Sequence, residues 1–105
     1  MIKTQKLLIA TNGFATKFLN RDIKPARAQV VITKPIKDLK IKGTFHFDEG
    51  YYYFRNIGHR ILLGGARNAD LQAENTSAFG QNPVIVKALT DFLFAHLLPG
   101  GSPDL

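Results

Sequence analysis

The chain has 105 residues, 45% of them hydrophobic and 21% charged, the size of one ordinary domain with one core, so a single unit over 1–105 is expected. A formal net charge of +6 would suit a polyanion, yet lysine and arginine are scattered from Lys3 to Lys87 without a dense block, and nucleic acid is not an expected partner. The absence of cysteine excludes disulfides, thiolate metal sites and cysteine nucleophiles, and no run approaches the ~18 apolar residues of a membrane helix; a soluble, cytoplasmic protein without membrane or metal partners is expected.

Residues 6–10 carry the apolar run Leu7-Leu8-Ile9-Ala10, stopped by Thr11-Asn12-Gly13, the pattern of a strand covered on both faces. Phe14 and Phe18 stand four apart, which predicts a short helical turn. Residues 28–33 read as a strand fenced by Pro25 and Pro35. Over 43–48, Phe45 and Phe47 alternate with Thr44, His46 and Asp48, a strand with one apolar face. Asp48-Glu49-Gly50 then turns the chain into Tyr51-Tyr52-Tyr53-Phe54. Successive strand residues point to opposite sides, so Tyr51 and Tyr53 fall on one face and Tyr52 and Phe54 on the other, and both faces need cover.

A turn centred on Ile57-Gly58 leads into the strand 60–65; because this pair is not the favoured Asn-Gly type, the register is open by one residue. Residues 67–81 are polar and irregular, a loop with one helical turn. Asn82-Pro83 opens a helix over 83–97, with asparagine as cap and proline at the first helical position, where its missing N–H costs nothing. Ile85, Leu89 and Phe92, with Val84, Ala88 and Ala95, give that helix a wide apolar arc that asks for cover on more than one side. The fold class expected is α+β: an antiparallel sheet of about four to five strands with a long C-terminal helix and one short helical turn near the N-terminus.

His46, His59 and His96 lack paired ligand spacing, so no metal site is expected. Asp48 and Glu49 sit in a turn and read as turn formers rather than an acid–base pair. Gly64-Gly65-Ala66-Arg67 could cradle a phosphate, but it lacks the Lys-Ser/Thr of a P-loop and the spaced glycines of a dinucleotide fingerprint; close backbone packing explains a glycine pair equally well. The segment Lys42-Gly43-Thr44-Phe45-His46-Phe47 has a passing likeness to the aromatic strand on which RNA-recognition motifs stack bases, without the second aromatic strand that such motifs carry. The tyrosines admit two readings, sheet packing or a ligand wall in which rings bury an apolar body and phenol groups fix its polar end.

Three stretches, Leu7-Leu8-Ile9-Ala10-Thr11-Asn12-Gly13-Phe14-Ala15, Lys24-Pro25-Ala26-Arg27-Ala28-Gln29-Val30, and residues 50–65 followed by Ala66-Arg67-Asn68, together resemble the FAD-dependent oxidoreductases of the D-amino-acid oxidase family. The resemblance implies a two-domain flavoenzyme in which a Rossmann-like domain holds FAD and an antiparallel sheet domain covers the flavin and shapes the substrate site. It places Ala10, Thr11, Asn12 and Gly13 near the cofactor in a full-length context, and Tyr51, Tyr53 and Arg55 on the substrate side. The family's glycine-rich fingerprint and its C-terminal flavin-contacting segment have no counterpart here, and Phe54 stands where proline is common before the arginine. The resemblance therefore implies a substrate-domain fragment that lacks catalytic residues of its own, binds no FAD alone, and forms homo-oligomers through exposed apolar faces. The alternative is a small stand-alone ligand- or protein-binding module that uses residues 51–54.

Overall fold

The computed structural model describes residues 1–19 and 23–101. Its centre is one four-stranded antiparallel sheet of strands β1 (Val30–Ile32), β2 (Thr44–Phe47), β3 (Tyr52–Ile57) and β4 (Arg60–Gly65) in the order β1-β4-β3-β2. Helices α1 (Leu71–Glu74) and α2 (Pro83–Phe92) follow, and α2 continues into a wider-wound π-helical turn, Leu93–Leu97. The fold is α+β, with the sheet, the C-terminal helix and a short 3-10 turn at Asn12–Lys17.

Local chemistry sets most of these boundaries. The Asn82 side chain accepts the N–H of Val84 at 3.0 Å and Pro83 takes the first helical position, so the orphan donors of α2 are met where the sequence placed its cap. The hairpin between β3 and β4 pairs Ile57 with Arg60. Its two loop residues are therefore Gly58 and His59, one position beyond the expected centre. Gly58 takes φ 57° and His59 does not turn positive, the Gly-X order of a type II′ connection. Between β2 and β3, Asp48, Glu49 and Gly50 all adopt positive φ, so Tyr51 belongs to the turn and the strand starts at Tyr52.

The register puts Phe45, Phe47, Tyr52, Phe54, Ile61, Leu63 and Val31 on one side of the sheet. Helix α2 lies on that side. Ile61, Leu63, Ala66, Ile85, Leu89, Phe92 and Leu93 form the buried core, with Ile36, Leu39 and Ile41 of the connection between β1 and β2 packed on its margin. Phe92 is the hub: its ring stacks on Tyr52 at 4.3 Å, and it meets Phe47 at 5.2 Å and His96 at 4.9 Å. Phe45 stacks on Phe54 at 4.9 Å. These rings spend their faces on one another, in the offset and tilted arrangements that aromatic quadrupoles favour.

The other side of the sheet is covered only in part, with Gly64 buried beneath Tyr53 and Leu62 half-buried. Val30, Ile32 and Ile57 there keep 51%, 42% and 40% of their surface exposed. Residues 6–10 correct the expectation of a doubly covered strand. They lie outside any strand, with Leu7 79% and Leu8 88% exposed. An apolar run supplies propensity, but a strand also needs a neighbour to take its N–H and C=O groups, and none of the four strands pairs with this segment. Helix α2 is likewise covered along one stripe only, Val84 and Ala95 remaining exposed. The molecule is elongated, 60 × 29 × 24 Å with a radius of gyration of 18.0 Å, against the ~13 Å of a compact domain of this length.

Candidate functional site

Two clefts flank the segment that leads into β1, and Ala28 lines both. The first, about 460 Å³, is bounded by Glu49, Tyr51, Tyr53, Gly65, Arg67 and Leu71. Its two phenols are held in place by the glycine pair. A side chain at Gly64 would stand 2.5 Å from the Tyr53 ring, so Tyr53 lies flat over the glycine directly opposite it in the ladder. At Gly65, φ is 111° and a Cβ would overlap the Tyr51 carbonyl. That carbonyl accepts the N–H of Ala66 at 2.7 Å, and Ala66 itself is buried with a left-handed φ of 56°. Close backbone packing, not phosphate cradling, explains Gly64-Gly65.

Of the substrate-side residues expected from the sequence, Tyr51 and Tyr53 come together here. Arg55 shares the sheet face of Tyr53 but lies two residues along β3, outside the cleft. Arg67 lines the cleft in its stead, and its Nε is buried with no hydrogen-bond partner among the described residues. Its only signal in the sequence was its place after the glycine pair. Tyr52 and Phe54 point the other way, into the rings around Phe92. The cleft thus offers two phenols, a guanidinium and a carboxylate: it can orient a small polar body against aromatic walls. Among the described residues no three His, Asp or Glu side chains gather as metal ligands.

The second cleft, about 340 Å³, is lined by Asn12, Gly13, Phe14, Arg27 and Phe79 among others. Behind it runs a buried polar network. Glu74 accepts from Arg27 Nη2 at 2.8 Å and from Gln29 Nε2 at 2.9 Å, while the Arg27 N–H donates to the Glu74 carbonyl at 2.7 Å. Gln29 Oε1 accepts the N–H of Asn82 at 2.9 Å, and Asn82 Nδ2 donates to Asp70 at 2.9 Å. One chain of bonds therefore ties the approach to β1, helix α1 and the cap of α2. The hydrogen bond from Arg27 holds the Glu74 carboxyl below the usual carboxylate range, against the upward pull of burial, and Glu74 in turn raises Arg27. Charge-assisted bonds of this kind stabilise the ionised form.

No protein-family model, curated protein or solved structure matches this chain.

Residues 10–13 lead into the 3-10 turn Asn12–Lys17. The Phe14 N–H is already taken by the Thr11 carbonyl at 3.0 Å, and the space beside Gly13 is filled by Pro25, 3.3 Å from where a Cβ would stand. A diphosphate needs several converging backbone donors at a helix start. Here the turn is six residues of 3-10 geometry, and the Thr11 hydroxyl is buried without a partner among the described residues. Ala10 stays exposed.

Proposed function

We propose that this chain is the substrate-side layer of an FAD-dependent amine or amino-acid oxidoreductase of the D-amino-acid oxidase type, without catalytic activity of its own. The observation that carries the reading is the one-sided cover of the sheet. Helix α2 covers the middle of one face, where Phe45 and Phe47 of the edge strand stay 40% and 50% exposed, while Val30, Ile32 and Ile57 on the other face are left in water with no helix over them. Exposed apolar side chains gathered on one sheet face mark a surface shaped for contact. A flavin-bearing domain is what the sequence resemblance supplies to fill it, and in that setting Tyr51, Tyr53 and Arg67 form the substrate wall. FAD would be held by the other layer.

The test is complementation. The chain is co-expressed with the FAD domain of a D-amino-acid-oxidase-type enzyme stripped of its own sheet domain, and the purified material is examined for flavin absorbance. A stoichiometric, flavin-bearing complex supports the layer reading; failure of the two to associate at tens of micromolar sinks it. Stoichiometric FAD on this chain alone, with turnover of amines, would overturn the claim that it is inactive by itself.

The stand-alone binding module is the second reading, favoured by the cleft of Tyr51 and Tyr53. It predicts that a monomer binds a small ligand with loss on Tyr53→Ala, whether or not any second domain is present.

A further inference from the structure

The open face of the sheet has a charge pattern that specifies what covers it. In register across the strands, its residues are Val30 and Ile32 of β1, Arg60, Leu62 and Gly64 of β4, Tyr53, Arg55 and Ile57 of β3, and Thr44 and His46 of β2. The apolar members lie beside two exposed arginines, and no acidic residue stands among them. Arg60 spends one N–H on the Thr33 carbonyl at 3.1 Å and Arg55 has only a long bond to the neighbouring Asn56 carbonyl. Among the described residues neither guanidinium has a carboxylate partner.

The same end of the molecule concentrates the charge. Lys37, Lys40, Lys42, Arg55 and Arg60 gather there, and among the described residues 33–43 the acid is Asp38. The connection that carries the lysines is tied to the β3–β4 hairpin by the Ile36 N–H on the His59 carbonyl at 2.8 Å and the Gly43 N–H on Asn56 Oδ1 at 2.9 Å.

An apolar centre with charged flanks has the anatomy of a protein interface. Covering it desolvates Arg55 and Arg60, and a guanidinium buried without a counter-charge is strongly destabilising. A second copy laid face to face with the two arginine ends together would bring arginines against arginines. We infer that the face is built for a different protein surface, one that carries carboxylates to Arg55 and Arg60 around an apolar centre, and that it opposes pairing with itself. This deepens the layer reading by giving the covering domain its charge; it needs the face to be a docking surface, not that the covering domain binds flavin. It also turns the expected homo-oligomer away from this face.

The test uses the full chain in sedimentation experiments. Wild type stays monomeric at about 20 mM salt and associates only when salt screens the arginines, at about 500 mM. Arg55→Gln with Arg60→Gln associates at low salt, because the repulsion is gone. The charge-reversed pair, Arg55→Glu with Arg60→Glu, shown folded by circular dichroism, serves as an acidic-faced partner: mixed with wild type at low salt it forms a one-to-one complex, weakened at least about tenfold at the higher salt and lost on Ile57→Glu. A wild-type dimer through this face that is tightest at low salt overturns the inference, as does a mixture that stays monomeric. Binding of wild type to vesicles with one third anionic lipid, abolished by Ile57→Glu, would also overturn it in favour of a membrane surface. A wild-type low-salt dimer leaves the flavin-domain complementation untouched, so the two failures are distinguishable.

Discussion

At the level of single residues, the two glycines after β4 should respond differently to the same methyl group. Gly65→Ala must fit a Cβ against the fixed Tyr51 carbonyl at a φ of 111°, where the backbone cannot yield without opening the end of the hairpin. It should lower the urea midpoint severely. Gly64→Ala meets only the outer atoms of the Tyr53 ring, which can swing outward. We expect a smaller loss of stability and a Tyr53 fluorescence more open to soluble quenchers, which reads out the opening of the cleft directly. The buried carboxylate gives a pH prediction. Glu74 is held below its ordinary range by Arg27, so the unfolded chain takes up the proton first as pH falls. Its contribution is complete above the unfolded carboxylate value, about 4.3, and is lost as pH drops through the lower folded value. Urea titrations between pH 7 and pH 3 should show wild type losing its advantage over Glu74→Gln across that acid window; parallel curves would contradict the role given to the Arg27 contact.

At the level of elements, helix α2 rests on its cap and on its aromatic hub. Asn82→Ala removes the bond to the Val84 N–H and the contact with Asp70, and should cost about 1 kcal/mol. Phe92→Ala empties a buried site walled by Tyr52, Phe47 and His96. A loss of about 3–5 kcal/mol is expected, enough to unfold most of the population of a marginal domain. The elements legible in the sequence are those whose signals are local. Asn82-Pro83 marked its helix start, Asp48-Glu49-Gly50 its turn, and the alternation of Phe45 and Phe47 its strand. Where the cause is distant the sequence was silent. The bonds of Glu74 join residues 45 and 47 positions apart, and nothing near Arg27 or Gln29 announces them. Residues 6–10 misled for the opposite reason: the apolar run is a genuine strand signal, but cover is a property of neighbours, not of the run. The site was half legible. Tyr51 and Tyr53 followed from the period of two, whereas Arg67 enters the cleft because Ala66 takes a left-handed turn that no alanine advertises.

At the level of the whole molecule, the exposed apolar groups of β1 and β3 have one explanation, a sheet face with no helix laid over it. A sheet is covered on both faces by two further layers or leaves a polar face to water; here the open face mixes isoleucine, valine and leucine with arginines that have no carboxylate partner among the described residues, which suits neither long exposure to water nor union with its own copy. The sharpest test of this account is relaxation of methyl groups by a soluble paramagnetic agent in the monomer. Val30, Ile32 and Ile57 should relax strongly in the chain alone, Ile61 and Ile85 of the core weakly, and the first three should become protected when the proposed flavin-bearing layer is added. Protection of Val30, Ile32 and Ile57 in the isolated monomer would mean that the chain seals its own sheet, and would contradict the account.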